Sequence, residues 1–313
     1  LNISITGGTG FVGREVTHEL LNQGHRVRLI SRSRPSPTPR RTTHPRLENF
    51  LGIDFRDPGQ LAEAFRGTTI AIHLVGIIAE CGPDRTFEHV HVDLTASALA
   101  AARAAGLQRW IHMSALGTRD GAASRYHRTK WAGEELVRRS GLDWTIFRPS
   151  LIHGARDGFT RLFARLSRWS PVLPVMGKGT SLLQPIAVSQ VARAFASAVT
   201  TPDAVGRTYD LCGAERLTFV DVLRAILRAH GRRRWLLHIP MPVARLQAAV
   251  FEGFYPALLR RPPPLNRDQL LMLEEDNIGD GSAADARFGL EHRLFSDDMR
   301  RLAARECGDL AGD

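Results

Sequence analysis

Seven residues near the start of the chain, Gly7-Gly8-Thr9-Gly10-Phe11-Val12-Gly13, restrict its fold more than any other stretch. They follow a short apolar run, Asn2–Thr6, and open an amphipathic run, Phe11–Gln23, that Gly24 ends. Gly7, Gly10 and Gly13 give the spacing G-x-x-G-x-x-G. In a strand–turn–helix unit the first glycine permits the tight turn. The second lets backbone approach a pyrophosphate, and the third lets the helix pack close to the sheet. The helix N-terminus then offers unpaired N–H groups and a partial positive charge to an anion. Glycines alone are a weak signal, but glycines at the head of a βαβ unit are a strong one. Gly7, Thr9, Gly10, Phe11, Val12 and Gly13 are therefore candidate contacts for the phosphates of a dinucleotide.

The alternation continues through the first half of the chain. Strands are expected at Arg26–Ser31, Leu51–Phe55, Thr69–Val75, Trp110–Ser114 and Trp144–Arg148, with helices at Gly59–Phe65, Phe87–Ala105 and Tyr126–Arg139. Ser33–Arg46 is rich in proline and arginine and reads as a loop. Such alternation predicts an α/β, Rossmann-type, doubly wound parallel sheet with right-handed crossovers. After Pro149 the pattern loosens into helices at Thr160–Ser167, Ser189–Val199 and Phe219–His230 and a strand at Thr208–Cys212. The expected division is a dinucleotide domain of residues 1–150 plus about 184–212, and a smaller C-terminal lobe of about 151–183 plus 213–313. Substrate is expected between sheet and lobe, at the carboxyl ends of the strands.

The end of the second strand bears on which dinucleotide is held. An NAD site wants a carboxylate about twenty residues past the loop, on the ribose hydroxyls. Here the stretch is Ser31-Arg32-Ser33-Arg34, without an acid. A guanidinium makes charge-assisted bonds to a 2′-phosphate, so the residues favour NADP(H) over NAD(H), with Arg32, nearest the strand end, as the partner. Solvated surface charge is the alternative for these arginines. Further on, Tyr126 and Lys130 lie four residues apart on one helix face. The lysine can hold the nicotinamide ribose. Its charge favours tyrosinate, which would let the phenol serve as acid or base.

With these pieces in place the chain resembles the short-chain dehydrogenase/reductase superfamily, in its extended or atypical branch. The resemblance rests on Thr6–Gly13, on Asp54–Asp57 ahead of Leu61 and Gly67, and on Val75–Gly76. It also rests on Ser114, on Tyr126 with Lys130, on Arg148-Pro149-Ser150 and on Gln184-Pro185-Ile186. It implies Asp54 and Phe55 at the adenine, Val75 and Gly76 along the cofactor, and Pro149 facing the nicotinamide. It also implies catalysis by Tyr126 and Lys130 with a hydroxyl near Ser114. One departure stands out: the pair at the end of the fifth strand reads Ser114-Ala115, with alanine where the family carries its catalytic Ser or Thr. Ser114 and Thr118 are the nearby substitutes. Leu74-Val75-Gly76, Ser114–Gly117, Ser124 and Pro263–Gln269 with Glu275-Asp276-Asn277 further resemble the nucleotide-binding accessory subunit of respiratory complex I and its bacterial relatives.

Two functions follow. One is an NADP(H)-binding oxidoreductase or epimerase acting on a small molecule; the other is a catalytically weak accessory or sensor protein within a protein complex. The formal charge of +10 would attract nucleotides, nucleic acid or anionic lipid, but no helix-turn-helix or finger is present, so nucleic acid is not an expected partner. Cys81, Cys212 and Cys307 are far apart and make no C-x-x-C pair. Neither a disulfide framework nor a metal site is expected, and a reducing compartment is. No secretory leader and no run of about 18 uncharged apolar residues is visible. The expected location is the cytoplasm, with contact to the inner membrane from its surface left open. That last point arises from Val243, Leu246, Val250, Phe254 and Leu258, which recur at helical spacing between Arg232–Arg234 and Arg260–Arg261. Such a stripe normally faces its own core; the other reading is a docking face for a membrane or partner.

Overall fold

The computed structural model describes residues 1–32, 44–259 and 261–310. The loop expected at Ser33–Arg46 therefore lies mostly outside the described residues, as do Arg34 and Arg260, and so does the Cys307 side chain. In chain order the elements are β1 (Asn2–Thr6), α1 (Phe11–Asn22), β2 (Arg26–Ser31), β3 (Leu47–Leu51), α2 (Pro58–Phe65) and β4 (Ile70–His73). A π-helical turn, His89–Asp93, leads into α3 (Leu94–Ala104), β5 (Arg109–Met113), α4 (Arg125–Arg138) and β6 (Asp143–Pro149). Next come β7 (Ile152–His153), α5 (Gly158–Trp169), β8 (Val172–Met176), β9 (Leu182–Leu183), β10 (Ile186–Ala187), α6 (Val188–Ala198) and β11 (Arg207–Leu211). The chain continues through β12 (Leu217–Thr218), α7 (Phe219–Ala229), β13 (Trp235–Ile239), α8 (Met241–Phe254), α9 (Arg267–Glu274), α10 (Ser282–Phe288) and α11 (Phe295–Leu310).

Two compact units result: Leu1–Arg148 with Val191–Tyr209, and Pro149–Gln190 with Asp210–Asp313. The first holds a seven-stranded sheet in the order β11-β6-β5-β4-β1-β2-β3. Pairings β1–β2, β1–β4, β2–β3, β4–β5 and β5–β6 are all parallel, so these strands present their carboxyl ends along one edge. The order reverses at β1, and that is where an open α/β sheet leaves a crevice. The core on one side packs Ile30, Phe55, Phe65, Trp110 and Ile146 with α2 and α3.

β3 lies four residues earlier than its apolar pattern suggests. It runs Leu47–Leu51, paired Val27↔Leu47 through Ser31↔Leu51, and Gly52, at φ +78°, ends it. It is an edge strand, so Glu48 and Asn49 can face solvent, which hides the two-residue period. The Arg28 guanidinium meets its register partner Glu48 at 2.9 Å and fixes the pairing. Asp57 then caps α2, accepting from the Gly59 and Gln60 N–H groups. The helix expected at Phe87–Ala105 is likewise interrupted by the π turn at His89–Asp93.

In the second unit, α5, α7 and α11 pack Phe163, Phe219, Val222, Phe295 and Met299 around Leu173 and Val175 of β8. β13 pairs in parallel with β8. α8 turns its small residues Ala244 and Ala248 inward, against Leu270 of α9 and the partly buried Met176 and Ile239. Its large apolar residues, Val243, Leu246, Val250 and Phe254, and Leu258 beyond them, are exposed. The core-facing placement expected of that stripe is thus not the one observed: alanines take the buried face because they let α8 and α9 approach closely. Among the described residues no helix is long and apolar enough to cross a membrane. Nor does any group of three or more His, Cys, Asp and Glu there have the placement to hold a metal ion.

Candidate dinucleotide site

The phosphate loop is built from backbone. Gly7 sits at φ +79°, and its carbonyl accepts the Gly10 N–H at 3.1 Å. A Cβ on Gly7 would stand 2.9 Å from the Leu74 carbonyl carbon, and one on Gly13 would fall within 3.0 Å of the Gly7 carbonyl oxygen and Gly8 Cα. These contacts leave no room for side chains, so α1 starts hard against the ends of β1 and β4. Gly10 caps α1 without a side-chain hydrogen bond, so the first-turn N–H groups remain available to an anion. Thr9 and Gly10 are exposed above them, while Val12 and Gly13 are buried beneath. Arg14, which sequence reasoning passed over, folds back to donate its Nε to the Thr9 carbonyl at 3.0 Å. Its position directly after the third glycine was the available signal. The cradle fits a pyrophosphate.

Beside the loop, the ends of β4 and β5 carry the next group. Val75 is half-buried, and Gly76 faces Lys130: a Cβ at Gly76 would stand 2.9 Å from Lys130 Nζ. Lys130 is only 3% exposed and donates to the Met113 carbonyl at 3.1 Å, at the end of β5. Burial pulls its ammonium down to about 8, and the carboxylate of Glu134 one turn along α4 works against that. Ser114 is buried, with its hydroxyl 3.4 Å from Thr118 Oγ1, which lies 3.4 Å from His127 Nδ1. Ser114, Lys130, Gly76 and the loop therefore form one continuous strip along the carboxyl edge.

Tyr126 stands one turn before Lys130, its ring edge-on to Phe87 and His91 at 5.8 and 5.4 Å. Burial pushes its phenol up to about 12. This is opposite to the direction expected from a neighbouring ammonium, because desolvation of the phenolate outweighs it. The phenol is thus the protonated species at neutral pH.

Two further residues position this group, and neither is marked by motif or spacing. His91, in the π turn, has Nδ1 2.9 Å from Thr129 Oγ1 of α4 and Nε2 3.1 Å from the Ile77 carbonyl. It thereby ties the loop after β4 to the helix that carries Tyr126 and Lys130. Glu134, fully buried, accepts from Arg138 Nη2 at 2.6 Å and from Arg148 Nε and Nη2 at 2.8 and 2.6 Å, which clamps α4 to β6.

The remaining sequence candidates lie further out. Arg32 is exposed at the end of β2, and the exposed Asp54 carboxyl is held below the usual range by hydrogen bonds from the Arg56 backbone and guanidinium, with the Arg32 charge the smallest contribution. Phe55 is buried within the core, so only its backbone is available to a ligand. Pro149 is buried at the end of β6.

Buried imidazoles beneath the site carry a pH dependence. His73 stacks between Trp110 and His112, and desolvation pulls it from 6.5 down to about 3, with Lys130 adding to the effect. Burial takes His91 to about 2 and pushes His112 well below its ordinary value. The unfolded chain takes up these protons near 6.5 and the folded chain does not, so stability is full above pH 6.5 and falls as pH drops below it. Each neutral histidine should contribute about 1.4 kcal/mol per pH unit in that window. Urea midpoints measured from pH 7 to pH 4.5 should fall steadily, and less steeply in His73→Asn; a flat profile would refute the assignment.

Comparison with known proteins agrees with this geometry. A family model described as NAD(P)H-binding matches residues 7–202. The chain is 30% identical over 249 residues to subunit 9 of the NADH dehydrogenase [ubiquinone] 1 alpha subcomplex of Rattus norvegicus, an alignment covering 77% of this chain and 63% of that protein. The chain thus spans under two thirds of that relative's length. It is 32% identical over 247 residues to the ceramide reductase of Caulobacter vibrioides, covering 77% and 74% of the two chains. With the 3 beta-hydroxysteroid dehydrogenase/Delta 5-->4-isomerase of Mycobacterium tuberculosis it shares 30% identity over 304 residues, covering 85% and 80%. The UDP-glucuronic acid 4-epimerase of Bacillus cereus, solved with UDP-glucuronic acid and NAD, superposes at TM-score 0.72 with 18% identity over 98% of this chain and 100% of that one. The glycine cradle, the parallel sheet and these relatives together make the chain a member of the NAD(P)H-binding family, in the extended or atypical part of the short-chain dehydrogenase/reductase superfamily.

Proposed function

We propose that the protein is an NADP(H)-dependent oxidoreductase acting on the carbonyl or alcohol group of a small apolar molecule. The observation that carries this reading is the placement of Lys130, buried against Gly76 and held by the Met113 carbonyl, with Tyr126 one turn away. The α1 N-terminus, with Thr9, Gly10, Phe11, Val12 and Gly13, would hold the pyrophosphate. Arg32, with Arg14 over the loop, would meet the 2′-phosphate. The Asp54 side chain and the Phe55 backbone would lie at the adenine. Val75 and Gly76 would line the ribose and nicotinamide, Lys130 would bind the ribose hydroxyls, and Pro149 would face the nicotinamide. When bound, the nicotinamide supplies the hydride. Tyr126 holds its proton at neutral pH and so suits reduction, giving that proton to the oxygen of the reduced carbonyl. Ser114 and Thr118 are the hydroxyls left to orient that oxygen, since Ala115 has none. Two relatives, a reductase and a dehydrogenase/isomerase, are named for apolar substrates, a ceramide and a hydroxysteroid, which supports the substrate class.

Ala115 and the complex I relative favour a second reading, in which the dinucleotide is held without turnover as part of a protein complex. One experiment separates the two. The purified protein is given NADPH, then aldehydes, ketosteroids and 3-keto lipids, with nicotinamide absorbance followed over time. Turnover that drops by about 10²–10⁴-fold in Tyr126→Phe supports the enzyme; tight retention of NADPH with no turnover supports the accessory role. For the cofactor, Arg32→Ala should weaken NADPH about tenfold or more and leave NADH nearly unchanged, since a charge-assisted pair contributes roughly 1.5–3 kcal/mol. Equal effects on both would remove the 2′-phosphate assignment.

A further inference from the structure

The outer face of α8 lacks a covering element. Along a helix, Val243, Leu246, Val250 and Phe254 fall on one side, and all are exposed, Leu246 by 69%. The buried side of the same helix is the alanine pair Ala244 and Ala248. The polar residues are elsewhere: Arg245 is paired with Glu274 at 2.9 Å and Glu252 with Arg267 at 2.7 Å, so the acids near this face are already neutralised. Leu258 and Leu259 extend the face past the helix end to Arg261, which is also exposed.

The strand before α8 continues the apolar surface. Ile239 of β13 packs under α8, and Trp235 and Leu237, four and two residues earlier, share its side of the strand. They are exposed by 82% and 57%. The Trp235 N–H donates to the Pro171 carbonyl, two residues beyond Trp169, which is itself 81% exposed with the Arg168 guanidinium 5.7 Å from its ring centroid. Lys178 is exposed in the turn beside Met241, at the start of α8, and Arg233 is exposed two residues before Trp235. Aliphatic side chains on one face of an amphipathic helix, two tryptophans at its margin and a rim of cations are the features of a segment that lies in the plane of a bilayer. A second copy of this chain would set these cations against one another, which the rim disfavours.

We infer that this face, formed by α8 and the exposed end of β13, seats the second unit on a bilayer surface carrying anionic headgroups. Leu246, Val250 and Phe254 enter the acyl boundary, Trp169 and Trp235 sit at headgroup level, and Arg233, Arg261 and Lys178 meet the phosphates. The inference stands independently of the dinucleotide reading, since it involves none of the residues assigned to that site.

The test mixes the full chain with vesicles of phosphatidylcholine alone and of phosphatidylcholine with phosphatidylglycerol, and follows sedimentation and tryptophan emission. The wild type should sediment with the phosphatidylglycerol vesicles, shift its emission to the blue, and detach as salt rises. Leu246→Ser with Val250→Ser should weaken that binding about tenfold or more. Arg233→Gln with Arg261→Gln should weaken it roughly fivefold per arginine. Circular dichroism and NADPH affinity should be unchanged in both variants. Wild-type protein left in the supernatant, or variants that bind as well as the wild type, would overturn the inference. So would a wild-type dimer in sedimentation equilibrium that Leu246→Ser with Val250→Ser turns into monomers, since that would make a second copy the occupant.

Discussion

Replacing Glu134 with alanine should lower the stability of the protein by about 3–5 kcal/mol, the usual loss when one member of a buried ion cluster is removed. The carboxylate is fully buried and receives three short hydrogen bonds, from Arg138 and Arg148. Its removal leaves two guanidinium groups partly buried, beside the rings of Trp131 and Trp144, with their main acceptor gone. The same change detaches α4 from β6 and so loosens Tyr126 and Lys130. It also takes away the negative charge that supports the ammonium of Lys130. Glu135→Ala is the control. That residue pairs with Arg138 and Arg139 but is partly exposed, so its loss should cost about 1 kcal/mol or less. Urea unfolding of the two variants side by side is the measurement. Equal losses would mean that Glu134 is one more surface charge.

Gly13→Ala should weaken dinucleotide binding by about two orders of magnitude, a change equivalent to roughly 3 kcal/mol. The added Cβ would meet the Gly7 carbonyl oxygen and Gly8 Cα, and these are backbone atoms that cannot rotate away. The first turn of α1 would have to lift from the loop, taking its N–H groups out of line with the phosphates. Overpacking of this kind typically costs about 1–3 kcal/mol of stability as well. Fluorescence titration with NADPH reads the first effect and thermal unfolding the second. Gly59→Ala is a fitting comparison: it lies in the first turn of α2, where an added Cβ would meet only the Asp57 carboxylate at 3.3 Å. A Gly13→Ala protein that binds NADPH normally would show that the loop adapts.

The first half of the fold was legible because its strands are buried on both faces and read as apolar runs. β1 and β2 fall where Asn2–Thr6 and Arg26–Ser31 predict them. β3 did not, since an edge strand carries only half of that signal. The π turn at His89–Asp93 is a matter of hydrogen-bond register, which side-chain periodicity does not encode. In the site, the glycines and the Tyr126–Lys130 pair could be read from spacing, because their roles depend on local geometry. His91 and Glu134 could not. His91 acts through Ile77 and Thr129, 14 and 38 positions away, and Glu134 ties Arg138 on its own helix to Arg148, 14 positions beyond Glu134. On α8, the periodicity correctly marked an apolar stripe but could not say which side of the helix meets the protein. The alanines that decide this carry little weight in any hydrophobic pattern.

The empty place on Gly76 and the long arm of Lys130 are two halves of one fit. The ammonium stands 2.9 Å from where a side chain at 76 would begin, closer than the two atoms can sit. A change at either position is therefore judged by what the other holds. Gly76→Ala would require the Lys130 ammonium to move away from the added carbon, by redirecting its arm or giving up the Met113 carbonyl. The two positions share one space, so a double-mutant cycle between Gly76→Ala and Lys130→Met should show coupling between them.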